Sequence, residues 1–358
     1  MNYIIFCDTP YQVLSAVSFR LDQISKKNRV DLIIDTLRTP NVDMKSLAKR
    51  IDEIGIFTNV YCVSNLQNKY SKYKGLIKVL EWIFPRYMYK LMTKSIVEEC
   101  EYDIVVVSGP FSCQRGVISA NPRCDVYFIE DGLGSYIGRN GIRELSWRGK
   151  IVQRLFKYSP MHIYPKKTYL YSPEFYEGDY KDITKKMIFP LNNIEKIDYA
   201  FSVNLEIVRQ LYRNYRFIYF SQLIDLCDKG VKIEKDIVKL INNYKDEFII
   251  RPHPRGVTSF YENLNVDNSC NQWELCCSEI GEDSVLIANF STALFVPKLI
   301  YNKEPIVIFL YKLFENDFVD SSVNRLKNIY LNKDRVMSVS SISELNKIIE
   351  ILRKKNDD

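Results

Sequence analysis

Three short clusters in this chain carry residue types that could do chemistry. The first is Arg251-Pro252-His253-Pro254-Arg255, which follows the apolar Ile249-Ile250 and holds one of only two histidines among 358 residues. Prolines on both sides stiffen the backbone around the imidazole and reduce the freedom lost when it is ordered. Flanking arginines favour an anion, and an arriving phosphate dianion would in turn favour the imidazolium. A histidine so placed can stabilise or protonate a phosphate leaving group. The same five residues would also make an ordinary surface turn.

The second cluster is Glu130-Asp131-Gly132, at the end of the strand-like run Val126–Ile129. Neighbouring side chains on an extended chain point to opposite faces, so one carboxylate can face a cleft while the other supports the backbone. Gly132 permits a sharp exit from the strand. Asp131 is the candidate general base; a carboxylate that merely ends a strand is the plainer alternative. The third cluster is Asn289-Phe290-Ser291-Thr292, between the apolar run Val285–Ala288 and the helix-like stretch that begins at Ser291. Hydroxyls there commonly cap a helix, and they can equally help to hold a phosphate at its positive end. Ser221 and Gln222 end a further apolar run and would stand on the same rim, within reach of a nucleotide's base, ribose or phosphate. The second histidine, His162, lies in an irregular aromatic stretch and reads as a structural or surface residue.

To converge, these clusters need strands that end on a common edge, and the chain supplies them. The run 3–7 feeds Asp8, Thr9 and Pro10, a helix cap followed by a residue suited to the first turn. Apolar runs recur at 30–36, 59–63, 102–109 and 124–132, and the segment 185–193 reads as one more strand after an aromatic, less regular stretch over 133–182. Polar residues around 194–204 read as a linker. A second series follows, with strands over 216–222, the segment ending in RPHPR, 283–289 and 304–310, and helices between them and at the end of the chain. Short apolar runs alternating with helices predict parallel sheets covered on both faces. The expectation is an α/β protein of two Rossmann-like domains, 1–195 and 205–358, with ligands beyond the carboxyl ends of the strands.

The totals narrow the classes further. Hydrophobic residues make up 46% and charged residues 26%, the balance of a globular protein. Nine cysteines, without a C-x-x-C pair, indicate neither a disulfide framework nor a zinc site, and a reducing cytoplasm fits them. The first residues lack a basic region before their apolar run, so no signal peptide is expected, and no window is long and apolar enough for a spanning helix. Between Lys69 and Lys94 stand Lys69, Lys72, Lys74, Lys78, Arg86, Lys90 and Lys94 against the single acid Glu81, an excess equal to the whole chain's +6. With Trp82, Phe84, Tyr87 and Tyr89 among them, the segment is compatible with peripheral contact to an anionic membrane, and equally with a solvated helical face. No nucleic-acid-binding motif accompanies it. The fingerprints GxGxxG, GxxxxGK(S/T) and GxSxG are missing, and so is a D-x-D pair; no metal is expected to hold a donor.

With CDTPYQVLSA at its start, EDG after a strand, RPHPR in its second half and FST before a late helix, the chain resembles the bacterial sialyltransferases of glycosyltransferase family 52, which act on lipooligosaccharide and capsular glycans. The order and approximate spacing of the four motifs agree over nearly the whole length. The resemblance implies a GT-B architecture with a central cleft, CMP-sialic acid as donor, a hydroxyl of a surface glycan as acceptor, inversion at the anomeric carbon and no metal or other cofactor. Carried over by motif, Asp131 takes a proton from the acceptor, His253 serves the CMP phosphate, and Ser291 and Thr292 bind it, with Arg251, Pro254, Ser221 and Gln222 beside them. Thr9, Tyr11 and Gln12, with Glu130 and Gly132, line the acceptor side. A transferase with another donor, such as a hexosyltransferase or a CDP-polyol phosphotransferase, and a non-catalytic subunit of polysaccharide assembly are the alternatives. The sequence leaves the linkage, the acceptor sugar and a homodimer open.

Overall fold

The computed structural model describes residues 1–36, 42–63, 84, 101–108, 118, 121, 123–136, 165–176, 181–221, 228–253, 259–269, 271–314 and 320–354. The basic residues between Lys69 and Lys94, together with His162, Gln222 and Pro254, lie outside them. The chain divides into two compact units, Met1–Phe201 and Ser202–Asp358.

The first unit is a seven-stranded sheet in the order β3-β2-β1-β4-β5-β6-β7, with every neighbouring pair parallel. Its strands are β1 (Asn2–Cys7), β2 (Arg29–Asp35), β3 (Asn59–Val63), β4 (Ile104–Val107), β5 (Asp125–Ile129), β6 (Lys167–Leu170) and β7 (Thr184–Lys186). Parallel strands need crossovers and cover on both faces, and the central strands accordingly read as apolar runs: all four residues of β4 are buried. Helices α1 (Pro10–Gln23) and α2 (Met44–Glu53) belong to this unit, as does α3 (Ile194–Phe201). The stretch 194–204 that reads as a linker holds this helix, whose Ile197 and Ala200 are buried, and the boundary between the two units falls inside that stretch. The strand expected over 185–193 is shorter and earlier, confined to β7, and a 3-10 turn occupies Leu191–Asn193.

The second unit contains α4 (Leu205–Arg213), β8 (Phe217–Phe220), α5 (Asp228–Asn242), β9 (Phe248–Arg251), α6 (Trp273–Cys276), β10 (Val285–Ala288), α7 (Val296–Tyr301), β11 (Ile306–Phe309), α8 (Asp320–Ile329), β12 (Val336–Ser338) and α9 (Ile342–Lys354). Its sheet runs β12-β11-β10-β8-β9, again parallel throughout. One face is packed by Ile237, Leu240 and Ile241 of α5 and by Leu345, Ile349 and Leu352 of α9, in contact with Tyr219, Ile250 and Ile287 of the sheet. The expected helix from Ser291 to Tyr301 is instead a 3-10 turn, Thr292–Leu294, followed by the six-residue α7. Pro297 explains the break, since it lacks an N–H and fits only the first turn of a helix. Both units are therefore doubly wound parallel α/β folds. Among the described residues no helix is long and apolar enough to cross a membrane.

Candidate active-site rims

In a doubly wound sheet the crevice lies where the strand order reverses, beyond the carboxyl ends of the strands. In the first unit the reversal falls between β1 and β4. The chain leaves β1 through Asp8 and Thr9 and enters α1 at Pro10. Thr9 is the N-cap, with φ −133° and ψ 155°, and its Oγ1 accepts from the Gln12 N–H at 3.2 Å. Capping thus fixes the helix start and turns Tyr11 and Gln12 back toward the strand ends.

Gln12, 1% exposed, joins two strand exits. Its Oε1 accepts from the Asp8 N–H at 2.8 Å, and its Nε2 donates to Asp131 Oδ1 at 2.9 Å. The amide has one orientation as a result, because flipping it would set an N–H against an N–H. The Asp131 N–H donates to Ser135 Oγ at 2.8 Å, and Gly132 turns the chain with φ +80°. Asp131 itself is exposed, whereas Glu130 beside it is 1% exposed. Glu130 accepts from the Tyr11 hydroxyl at 2.5 Å, from the Tyr136 hydroxyl, and from the Tyr171 N–H at 2.9 Å. This is a buried carboxylate with donors on both oxygens, tying α1, the turn after β5 and the end of β6 together. The Cys7 thiol is pushed well above its ordinary pKa by burial first and then by Asp8 and Asp131, so it stays neutral. Ser108, the residue after β4 at the reversal, carries a buried Oγ with no hydrogen-bond partner among the described residues.

In the second unit the order reverses between β8 and β10. The register pairs Phe220 with both Ala288 and Arg251, so Ser221, Asn289 and Pro252 follow at the same level on three adjacent strands. Ser221 is buried; its N–H donates to the Arg251 carbonyl at 3.0 Å, and its Oγ accepts from the His253 N–H at 2.8 Å. The residue expected to touch a nucleotide thus clamps the backbone that carries His253, which is itself half-buried. Arg251, expected to face a phosphate, is turned inward. Its guanidinium pairs with Asp267, donates to the Tyr212 hydroxyl and to the Asn271 carbonyl at 2.6 Å, and lies 5.3 Å from the centre of the Trp273 ring. Burial opposes ionisation of Asp267, yet Arg251 and hydrogen bonds from Ser269 and Tyr212 hold its carboxyl below the ordinary range.

Ser291 is the N-cap of the 3-10 turn, its Oγ accepting from the Ala293 N–H at 3.2 Å. A hydroxyl that accepts one bond still has a proton to donate. The helix beyond is short, so a dipole contributes little here and the hydroxyls of Ser291 and Thr292 would carry most of any anion contact. Asn289, at the reversal itself, has a buried Oδ1 with no hydrogen-bond partner among the described residues. Such an atom is uncommon in a folded protein and is satisfied when a ligand brings an N–H or O–H. Sequence reading passed over Asn289 as part of a cap motif, and Asp267 and Tyr212 entirely. Among the described residues no three His, Cys, Asp or Glu side chains converge as metal ligands would.

No family model and no curated protein matches this sequence. Among solved structures the chain is similar to S. aureus MnaA in complex with UDP, at 14% identity over 87% of this chain and 79% of that one, with a TM-score of 0.48. It is also similar to the UDP-GlcNAc 2-epimerase of Neisseria meningitidis bound to UDP-GlcNAc, at 12% identity over 99% of this chain and 100% of that one, TM-score 0.47. A third likeness is to the wall teichoic acid polymerase TagF with CDPG, at 13% identity over 99% and 80% of the two chains, TM-score 0.48. Likenesses this distant say nothing about this chain's substrate or reaction.

Proposed function

We propose that the protein is an inverting, metal-independent GT-B sialyltransferase that moves sialic acid from CMP-sialic acid to a glycan hydroxyl, with galactose the expected acceptor sugar. The observation that carries the reading is the carboxyl-end rim of the second unit, where the sheet order reverses between the strands that lead to Ser221 and Asn289, with His253 two residues beyond the end of the neighbouring β9. A nucleotide seated there meets the acceptor atom of Asn289, the hydroxyls of Ser291 and Thr292 and the imidazole of His253. On the first unit's rim, Asp131 is an exposed carboxylate oriented by Gln12.

In the proposed reaction the acceptor hydroxyl gives its proton to Asp131 and its oxygen attacks the anomeric carbon. The bond from that carbon to the phosphate oxygen breaks, and CMP leaves with its new charge met by His253, Ser291 and Thr292. Each donor aimed at growing charge in this way contributes of order 3–4 kcal/mol to catalysis. The mechanism requires both rims to act on one donor–acceptor pair.

A related transferase with another nucleotide donor fits the same rims, and calorimetric titration separates the two. Binding of CMP in preference to CDP and UDP, unchanged by chelator, is the expected result. Binding of UDP without CMP would remove the sialyltransferase reading and leave the alternative standing.

A further inference from the structure

Trp273 opens the short helix α6 and is 6% exposed. Its ring meets the ends of two strands of the second unit. Phe220, the last residue of β8, approaches it edge-on with ring centres 4.7 Å apart, and the guanidinium of Arg251, the last residue of β9, lies 5.3 Å from its centre. Its indole N–H reaches a third segment, donating to the Ala293 carbonyl at 2.9 Å in the 3-10 turn that Ser291 caps and Thr292 begins. The donor that a helix would supply to that carbonyl is missing, because the residue four positions on is Pro297, which has no N–H. The indole, a donor only, takes its place. One buried side chain therefore meets three exits of the rim: β8, which leads to Ser221; β9, which leads to His253; and the turn beyond β10 with its two hydroxyls.

We propose that Trp273 is a positioning residue of the donor site, acting through the Ala293 carbonyl to hold Ser291 and Thr292 in place on the rim that His253 shares. The consequence for CMP rests on the transferase reading; the hold on the turn does not.

Trp273→Phe keeps a ring beside Phe220 and Arg251 and removes the N–H. Tyr301→Phe supplies the control, since the Tyr301 hydroxyl donates to another part of α6, the Glu274 carbonyl, at 2.8 Å. Amide hydrogen exchange at Leu294 and Phe295, whose N–H groups donate within the turn to the Ser291 and Thr292 carbonyls, is measured with CMP affinity for both variants and for the unaltered protein. Trp273→Phe is expected to speed exchange at both amides by about tenfold and to weaken CMP binding by about tenfold, the effect of one lost hydrogen bond. Tyr301→Phe should leave both readings within about twofold of the unaltered protein at a similar loss of Tm. Equal effects from the two variants would reduce Trp273 to a core residue and overturn the proposal. Unchanged exchange in Trp273→Phe would overturn it too, and so would unchanged affinity in a protein that binds CMP. Faster exchange in Trp273→Phe alone, in a protein that binds no CMP in any form, would keep the hold on the turn and discard the CMP site. Should Trp273→Phe not fold, the unaltered protein decides: the Trp273 indole proton and the Leu294 amide should open together, with protection equal within about twofold, and separate opening would overturn the proposal.

Discussion

Replacing Asp267 by alanine should be among the most damaging single changes to the second unit. The Asp267 side chain is 2% exposed and that of its partner Arg251 12%. The carboxylate accepts from Arg251, from the Tyr212 hydroxyl and, through Oδ1, from the Ser269 N–H at 2.9 Å. Alanine removes the only carboxylate that pairs with the guanidinium among the described residues and leaves a buried cation with a phenol and one carbonyl. Breaking a buried pair from one side costs about 3–5 kcal/mol. For a unit of this length each kcal/mol moves the midpoint by roughly 2–4 °C, so Tm should fall by roughly 6–20 °C. Urea unfolding followed by tryptophan fluorescence measures the same loss as a lower midpoint at unchanged slope, and Trp273 lies beside the pair as a reporter. The effect also has a signed pH dependence. Because the folded carboxyl sits below its ordinary value, the unaltered protein's advantage is full above the unfolded value of about 3.9 and disappears as pH falls through the lowered one. A loss below about 1 kcal/mol at neutral pH, the size seen for exposed pairs, would refute the claim that this arginine anchors the end of β9.

Three further changes test other parts of the account. Gln12→Leu strands the Asp8 N–H and releases Asp131, so it should cost about 1–3 kcal/mol of stability in denaturant unfolding and lower kcat, while CMP titrates as before. Gly132→Ala forces a side chain into positive φ and should destabilise by about 1–2 kcal/mol in the same measurement. Glu234→Gln reports through pH: burial raises the Glu234 carboxyl, with the bonds from Tyr261 and Tyr219 opposing it. A raised carboxyl contributes stability that is full below its unfolded value and lost as pH rises through the folded one, so the variant's Tm relative to the unaltered protein should climb between pH 4 and pH 7.

Much of this arrangement was legible from residue order. Thr9 before Pro10 marks a helix start, and a threonine cap with proline at the first position is what forms. Alternation along β5 separates Glu130 from Asp131, and one is buried while the other is exposed. The strands β8, β9, β10 and β11 are short apolar runs in both readings. What escaped is short or long-range. Strands β6 and β12, four and three residues of mixed polarity, have no run to detect and exist because a neighbouring strand supplies their ladder. The partners of Arg251, Tyr212, Asp267 and Asn271, stand 39, 16 and 20 positions away and leave no trace at the motif itself, which therefore reads as an outward-facing cationic cluster. Glu234 did leave a signal: with Ile237 and Ile241 at i+3 and i+7 it falls on the buried stripe of its helix, where a carboxylate demands explanation.

The most direct trial of the central claim is transfer from CMP-sialic acid to a panel of galactosides by the purified protein, beside Asp131→Ala and His253→Ala variants shown to be folded. The account predicts a sialylated product of inverted configuration, undiminished by chelator, and a loss of about a hundredfold or more in each variant. Near-normal turnover in either variant would contradict the role given to that residue, and hydrolysis or transfer from a different nucleotide sugar alone would contradict the activity itself.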